Sequence, residues 1–225
     1  DKTAPWLDRV HVGNFFGDVK AEFRLLDTLR WEYKYINHQM VLMSPYTEPY
    51  PVSYPRILRR PRYVLKNFLK HEIPCAILTK AGTRVMRDME TIKQFGSAIK
   101  VGTTLITIGE EWLDFEGQCA PPYQRIDMLR QMKEHEVRTF VCLMPIMFPK
   151  WVIDVIEATK DFTDEYFIGA RLFPRRRRTV GNETIGLPIF GRIGFKWKDA
   201  LDEIVATLRS YGKKFYISDT LRPMP

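Results

Sequence analysis

Several residues that could bind a small polar ligand lie in one proline-rich stretch of this 225-residue chain. Ser44, Thr47 and Glu48 directly follow a run of apolar residues, and prolines at 45, 49 and 51 stiffen the stretch by fixing the backbone angle φ. Hydroxyl and carboxylate groups on a stiff loop suit the binding of a small polar molecule. A proline-rich surface turn is the alternative interpretation of the same residues.

Two further runs of apolar residues also carry polar groups. Lys80 follows one of them and comes two residues before Gly82, where an ammonium group can bind a carboxylate or a phosphate. Thr103 and Thr104 lie within the next run, and strand alternation would turn one hydroxyl inward and the other outward. A solvated lysine and two ordinary strand residues are the alternative interpretation.

Acidic residues after the threonine pair offer acid–base groups or metal ligands, namely Glu110, Glu111, Asp114 and Glu116, although such a loop is usually only solvated. The histidines, His11, His38, His71 and His135, have no HxH or HExxH spacing, and we expect structural roles for them. The three cysteines, Cys75, Cys119 and Cys142, are widely spaced, which argues against a cysteine-held metal within this chain and indicates a reducing compartment.

A second kind of candidate site is basic. Arg175, Arg176, Arg177 and Arg178 are consecutive, Arg171 precedes them, and aromatic residues occur among the basic ones that follow. Arginines can bind phosphates and aromatic rings can stack on bases, so this segment is a candidate for nucleic-acid binding. A solvated basic loop explains it equally well. We predict an irregular loop over 172–194.

The elements that would position these residues alternate between strands and helices. Short, mostly continuous apolar runs predict buried parallel strands at Gln39–Ser44, Pro74–Lys80, Ile99–Ile108, Arg138–Pro145, Glu165–Ala170 and Lys214–Asp219. Apolar residues at helical spacing predict helices at Gly17–Tyr35, from Pro61, from Pro121-Pro122 and at Trp197–Tyr211, the last ended by Gly212. This alternation is typical of βα units, in an open doubly wound sheet or a barrel, and one domain over residues 1–225 accounts for it.

The composition limits the class of protein. Hydrophobic residues make up 45% and charged residues 28% of the chain, which excludes a disordered or fibrous protein. No apolar run is long enough to span a membrane and no signal-peptide pattern is present, so we expect a cytoplasmic protein without a membrane partner. The formal net charge of +8 permits nucleic acid or another anionic partner.

The ordered set of motifs resembles the radical S-adenosylmethionine superfamily, in the branch similar to spore photoproduct lyase. The motifs are TEPY (Thr47–Tyr50), ILTKAG (Ile77–Gly82), RDMETI (Arg87–Ile92), KVGTTLI (Lys100–Ile106), EGxxAPPxxR (Glu116–Arg125), Met144-Pro145, FIGARL (Phe167–Leu172) and YISDTLR (Tyr216–Arg222). The resemblance implies an α/β fold, a partial (β/α)6 TIM-like barrel of parallel strands. It also implies a 4Fe-4S cluster that reductively cleaves S-adenosylmethionine to a 5′-deoxyadenosyl radical, which takes a hydrogen from the substrate.

The resemblance also assigns roles to residues of this chain. Ser44, Thr47 and Glu48 match the loop that meets the methionyl amino group, and Lys80 matches a position that can pair with its carboxylate. Thr103 or Thr104 would touch methionyl or ribose oxygens. Relatives carry Glu-Pro where this chain has Met144-Pro145, and this difference indicates a different substrate or a lost activity.

The cluster itself is the main departure from the pattern. Family members bind it through a CxxxCxxC loop after the first strand, and that strand and loop should precede Phe16, where this sequence has no cysteine. Either the sequence begins just after the loop or the protein lacks it.

Three hypotheses follow. The chain is part of a radical enzyme acting on a large substrate, such as nucleic acid, or a non-catalytic barrel that serves as an interaction module in a larger assembly. The third is a conventional barrel enzyme using Lys80, Glu110, Asp114 and Glu116.

Overall fold

The protein is described by a computed structural model that covers residues 40–43, 48–51, 59–116, 119–169, 178–180, 183–185 and 197–217. The strands are β1 (Val41–Met43), β2 (Cys75–Leu78), β3 (Ile99–Thr104), β4 (Arg138–Leu143), β5 (Glu165–Ile168), β6 (Arg178–Val180), β7 (Glu183–Ile185) and β8 (Lys214–Ile217). The α-helices are α1 (Arg59–Lys70), α2 (Met89–Lys93), α3 (Trp112–Glu116), α4 (Pro122–Glu134), α5 (Pro149–Thr159) and α6 (Trp197–Ser210). Short 3-10 helices cover Gly82–Asp88, Gly96–Ala98 and Lys160–Phe162.

Six of the strands form one parallel sheet in the order β1-β2-β3-β4-β5-β8. Each strand therefore pairs with the next one along the chain, apart from the small antiparallel pair β6-β7 inserted before α6. Right-handed crossovers in such a sequential sheet place the connecting helices on the same face, as in a barrel and unlike a doubly wound sheet. Within the described residues β1 and β8 do not pair, so the sheet is open. The predicted partial (β/α)6 barrel of parallel strands is confirmed.

Strand alternation separates the side chains of the sheet into two apolar clusters. The larger lies between the sheet and the helices, and it includes Val101, Val141 and Tyr166 from the middle strands. The smaller lies on the inner face and consists of Ala76, Phe140, Cys142 and Phe167, with Met40, Leu42, Leu78, Met144 and Tyr216 packed against it. Both faces are therefore covered, which explains why each strand is an almost continuous apolar run.

An aromatic layer crosses the inner face of the barrel. The rings of Phe140 and Phe167 meet edge to face with centroids 5.5 Å apart, and Phe167 stacks on Tyr216 at 4.9 Å. Gly102 on β3 is paired with Phe140 on β4, and a Cβ atom at Gly102 would lie 2.5 Å from Cγ of that ring. A glycine is needed here so that the ring can lie flat across the neighbouring strand.

A charged group of three closes the amino-terminal side of this aromatic layer. The carboxylate of Glu165 accepts hydrogen bonds from Lys100 Nζ at 2.6 Å and from Lys214 Nζ at 2.8 Å. The ammonium group of Lys100 also lies 5.1 Å from the centroid of the Phe167 ring. Because Lys100 and Glu165 are buried, their charges are stable only when they are paired.

The predicted strands agree with the structure except in their limits. All six predicted parallel strands are present, and each is shorter than its apolar run. Helix α1 begins two residues before Pro61, α4 begins at Pro122, and Gly212 follows α6 with a φ of +62°. Sequence analysis did not identify α2, α3 or α5, and α3 includes part of the acidic stretch that it took for a loop. The predicted helix Gly17–Tyr35 lies outside the described residues, and the segment 172–194 includes the β6-β7 pair.

The length and apolar character of the helices in the described part of the chain can be compared with those of a membrane-spanning helix. None of them is both long enough and apolar enough to cross a lipid bilayer.

We expect Gly102→Ala to destabilise the fold by about 3 kcal/mol, since the added methyl group must displace the Phe140 ring or the strand. Gly96→Ala is the matched control, because its Cβ meets nothing within 4 Å and only its φ of +53° opposes the change, at a cost of about 1 kcal/mol. Urea denaturation of both variants measures the difference. Equal losses would contradict the proposed packing.

We expect Glu165→Gln to destabilise the protein at pH 7 by about 3 kcal/mol, because two ammonium groups lose their counter-charge. Burial by itself raises the pKa of Glu165, but the hydrogen bonds from Lys100 and Lys214 outweigh it and the pKa lies below its ordinary value of 4.5. A carboxyl group with a lowered pKa stabilises the fold above its unfolded-state value, and that contribution disappears as the pH falls through its folded-state value.

The difference in unfolding free energy between wild type and Glu165→Gln should therefore narrow as the pH falls below about 4.5. Denaturation curves between pH 7 and pH 3 test this, with the exposed Glu134→Gln as control. A difference that stays constant over this range would refute the assignment.

Candidate ligand-binding site at the carboxyl ends of the strands

Glu48 lies against the end of β2 and is held there by three hydrogen bonds. Its Oε1 accepts the hydroxyl of Thr79 at 2.5 Å and the backbone N–H of Tyr50 at 2.9 Å. Its Oε2 accepts the backbone N–H of Lys80 at 2.6 Å. Glu48 as a residue is half-buried, and these three hydrogen bonds fix the position of its carboxylate.

Tyr50 anchors the segment that carries Glu48 to the helix layer. Its side chain is fully buried in the larger core cluster. Burial raises the pKa of the Tyr50 phenol, and the negative charge of Asp88 raises it further. Asp88 is itself buried and accepts a hydrogen bond from Arg62 Nε at 2.6 Å. The proline-rich stretch is therefore held in place from outside the barrel.

Lys80, Glu116 and Arg125 form a second chain of contacts beside Glu48. Lys80 Nζ lies 2.5 Å from Glu116 Oε1, and Arg125 Nη1 donates to Glu116 Oε2 at 2.6 Å. Glu116 is buried, Arg125 has no exposed surface, and the Lys80 side chain is 35% exposed. This chain of contacts therefore runs from a wholly buried cation, through Glu116, to a cation that a ligand can reach.

The guanidinium of Arg125 also holds the surrounding backbone. Its Nε donates to the carbonyl of Ala120 at 2.6 Å, and Nη1 donates to the carbonyl of Thr104 at 2.9 Å. The N–H of Ala120 in turn donates to the carbonyl of Lys80 at 2.9 Å. Arg125 thus ties the end of β3, the segment before α4 and the end of β2 into one unit.

The four charged groups of this site balance one another. Glu48 and Glu116 supply two negative charges, and Lys80 and Arg125 supply two positive ones. The partly exposed members are Glu48 and Lys80, and the carboxylate of Glu48 accepts the backbone N–H of Lys80 at the end of β2. A carboxylate beside an ammonium can bind the amino and carboxyl groups of an amino-acid ligand through charge-assisted hydrogen bonds.

The two threonines lie on different faces of β3. Alternation places Thr104 on the inner face with Lys100 and Gly102, and Thr103 toward the helices. Both are buried, and the hydroxyl of Thr103 donates to the carbonyl of Thr104 at 3.3 Å. Of the pair, Thr104 is the one whose position suits contact with a ligand inside the barrel.

The structure brings together part of the predicted site. Glu48, Lys80 and Thr104 lie at the carboxyl ends of neighbouring strands, and Thr103 faces away. Ser44, Thr47, Arg171 and Arg175–Arg177 lie outside the described residues, while Arg178 is the first residue of β6.

Sequence analysis assigned no role to Arg125, although it closes the EGxxAPPxxR motif. The signal was helical spacing, because residues 125, 129 and 132 lie on one face of α4 and Leu129 and Met132 are fully buried. Among the acidic residues, Glu110, Glu111 and Asp114 are exposed as a solvated loop would be, whereas Glu116 is buried.

The described cysteines do not form a metal site. Cys75 points toward the helices and Cys142 toward the barrel interior, and burial raises the pKa of both thiols, that of Cys142 to about 12. Cys119 is half-buried near Lys80 and Glu116, and burial raises the pKa of its thiol as well. No group of three His, Cys, Asp or Glu side chains among the described residues can hold a metal ion, so these residues do not fit an iron–sulfur cluster.

Sequence comparison gives one significant partial match. No protein-family model matches the chain. Uncharacterized protein MJ0683 of Methanocaldococcus jannaschii is 36% identical over 110 residues, which cover 47% of this chain and 40% of that protein.

Structure comparison finds proteins of similar fold, among them the two that follow. The first is spore photoproduct lyase. A mutant of it solved with a dinucleoside spore photoproduct has a TM-score of 0.64 at 10% identity, covering 88% of this chain and 67% of the lyase chain. Another mutant, with bound AdoMet and the dinucleoside, has a TM-score of 0.58 at 10% identity, covering 87% and 66%.

The second is SuiB of Streptococcus suis. Bound to S-adenosylmethionine, SuiB has a TM-score of 0.55 at 14% identity, covering 80% of this chain and 39% of SuiB. With its precursor peptide SuiA, the TM-score is 0.53 at 10% identity, covering 93% and 56%. The chain thus spans about 40% of the curated relative and between 39% and 67% of these structures. At these identities the likeness establishes a shared fold.

We expect Arg125→Met to destabilise the protein by about 3–5 kcal/mol, because it removes the buried partner of Glu116 and the hydrogen bonds that Arg125 donates to the carbonyls of Ala120 and Thr104. Arg130→Met on the same helix is the control: its side chain is 55% exposed, and a loss below about 0.5 kcal/mol is expected. Thermal and urea unfolding of the two variants measure this. Similar stability of both would show that the Arg125 network contributes little.

Proposed function

We propose that this chain forms the S-adenosylmethionine-binding barrel of a radical S-adenosylmethionine enzyme. The observation that carries the proposal is positional. Glu48, Lys80 and Thr104, which belong to three of the motifs that resemble this superfamily, lie at the carboxyl ends of consecutive strands of an open, sequential parallel sheet, and ligands of βα barrels bind at that end. The similar folds of SuiB and spore photoproduct lyase, both solved with this ligand, support it.

The residues at this end fit the methionyl part of the ligand. In the proposed complex the carboxylate of Glu48 accepts the ligand ammonium, and the ammonium of Lys80 binds the ligand carboxylate. Thr104 provides a polar contact on the inner face of β3. Ser44, Thr47 and Thr103 stay predictions of the sequence resemblance, the first two outside the described residues and the third on the outer face.

The hydrogen bonds around Glu48 indicate that the proposed binding site is preorganised. Thr79, Tyr50 and Lys80 fix the carboxylate before a ligand arrives, and Arg125 fixes Glu116 behind Lys80. A ligand therefore meets charged groups whose conformational freedom has already been lost, which favours affinity. The near-zero charge of the cluster also avoids repulsion of either end of a zwitterion.

The proposed enzyme needs an iron–sulfur cluster, which in this superfamily supplies the electron that cleaves S-adenosylmethionine. The described residues do not provide its ligands, and the proposal assigns to them only the binding and orientation of S-adenosylmethionine. The packing of Met144 against the inner aromatic cluster gives this position an apolar contact where relatives carry glutamate. Because this position offers no carboxylate, the proposed enzyme would act on a substrate different from the substrates of those relatives.

The proposed substrate is a macromolecule that reaches the open side of the barrel. The two similar structures hold unlike substrates, a dinucleoside in one case and a precursor peptide in the other. A nucleic-acid substrate, with contacts from Arg171 and Arg175–Arg178, stays a prediction based on the charge of that segment.

We expect the full-length protein to bind S-adenosylmethionine, and Glu48→Gln and Lys80→Met each to weaken binding about 10- to 100-fold, because each removes a charge-assisted hydrogen bond worth about 1.5–3 kcal/mol. Isothermal titration calorimetry measures the affinity. Glu110→Gln and Lys150→Met, both exposed, are the matched controls and should bind like wild type. Thermal unfolding separates lost binding from lost folding.

Two results would contradict the proposal: no binding by wild type, or unchanged affinity in both site variants. A second measurement separates an enzyme from a non-catalytic barrel. Anaerobic reconstitution of the full-length protein with iron and sulfide, followed by chromatography of 5′-deoxyadenosine, should show reductive cleavage. Binding without cleavage would favour a barrel that serves as an interaction module.

A further inference from the structure

The outer face of α1 carries a group of positive charges. The helix contains five basic and no acidic residues, and Lys66 and Lys70 are exposed one turn apart. The apolar residues on its opposite side, Leu65 and Phe68, are buried against the core. The basic face is therefore turned to solvent and stays there while the apolar face holds the helix to the barrel.

The neighbouring 3-10 helix, Gly82–Asp88, extends this charge. Arg84 and Arg87 are both exposed, and residues three apart in a 3-10 helix lie on one side. Arg62 of α1 joins the two elements, because it donates to the Arg87 carbonyl and to Asp88. Asp88 is buried and pairs with Arg62 at 2.6 Å and with Arg87 at 3.8 Å, so its single negative charge offsets only part of the charge of these arginines.

An exposed aromatic ring lies on the same helix. Tyr63 is 48% exposed, an unusual position for a large ring, and it follows Arg62 directly. A ring face among cations is the combination that binds single-stranded nucleic acid, since the cations pair with phosphates and the ring stacks on a base. We propose that Tyr63, Lys66, Lys70, Arg84 and Arg87 form a binding surface for single-stranded nucleic acid on the outside of the barrel.

The chemistry of the surface favours this partner over an anionic membrane. A helix that binds a lipid surface inserts its apolar face, and the apolar face of α1 is already packed against the core. Three of the cations near Tyr63 are arginines, whose planar guanidinium groups match phosphate oxygens. The surface lies in the helix layer and does not include Glu48 or Lys80. This inference therefore does not depend on binding of S-adenosylmethionine.

Fluorescence anisotropy with a labelled 20-nucleotide single-stranded DNA, without S-adenosylmethionine, tests the surface in the full-length protein. Tyr63→Ala should weaken binding at least about fivefold, through lost stacking. Lys66→Ala/Lys70→Ala should weaken it and should reduce the slope of log affinity against log salt by about 1.4, since each phosphate contact contributes about 0.7 for single strands.

A matched control removes two charges elsewhere. Lys150→Ala/Arg209→Ala changes exposed residues of α5 and α6 and should leave affinity and salt slope as in wild type. Tyr63→Phe keeps the ring and should retain most of the affinity. Circular dichroism confirms that each variant is folded.

The proposal is overturned if the control pair weakens binding as much as the Lys66 and Lys70 pair, which would indicate a general effect of net charge. It is also overturned if Tyr63→Ala has no effect, if the protein binds phosphatidylserine vesicles and not the oligonucleotide, or if a polyglutamate peptide competes as well as the oligonucleotide does. If the wild-type protein binds S-adenosylmethionine but does not bind the oligonucleotide, the proposed function stands and this surface alone is refuted.

Discussion

The buried guanidinium group of Arg125 organises the side chains and backbone at the carboxyl end of this barrel. Taking the charge of Arg125 out of water costs several kcal/mol unless the group is paired, and this cost has to be offset by its surroundings. Its Nε and Nη1 atoms donate to Glu116 and to the carbonyls of Thr104 and Ala120, whereas Nη2 has no hydrogen-bond partner among the described residues. The ammonium of Lys80 lies 2.5 Å from the other oxygen of Glu116, and the backbone N–H of Lys80 donates to Glu48. The position of the candidate site thus follows from one desolvation penalty.

The two ends of the barrel handle buried charge differently. At the amino-terminal end both oxygens of the buried Glu165 are paired by lysines, and Lys214 is the member of this group that reaches solvent, with its side chain 60% exposed. At the carboxyl end both a carboxylate residue, Glu48, and a cation, Lys80, are partly exposed. Fully satisfied networks stiffen a fold, while partly exposed ones can exchange an internal partner for an external one. Of these two charged groups, the one at the carboxyl end therefore presents both signs of charge to a ligand.

The strands were predictable because both faces of the sheet are covered, which leaves an unbroken apolar run for each strand. Their order was implied by the resemblance, and the inner aromatic layer could not be derived from it, since contacts such as Phe140 with Gly102 depend on register. The pairing of Lys100 with Glu165 joins residues 65 positions apart, and local patterns carry no information about it. Helix α5 was missed even though Val152, Val155, Ile156 and Thr159 recur at helical spacing and are buried. Arg125 was inside a motif, and only its spacing from Leu129 and Met132 marked it as buried.

The net charge of +8 is not concentrated in the candidate ligand site. There Glu48 and Glu116 cancel Lys80 and Arg125, so the site can discriminate ligands by geometry and not by total charge. The basic residues of α1 and of the 3-10 helix Gly82–Asp88 lie instead in the helix layer, where Asp88 is buried and paired with Arg62 and Arg87. Long-range attraction for a polyanion acts over about 8–10 Å at physiological salt, whereas the contacts around Glu48 act over hydrogen-bond distances. The two proposals therefore assign recruitment of a charged partner and recognition of a small ligand to separate parts of the barrel, and under them salt would weaken the first much more than the second.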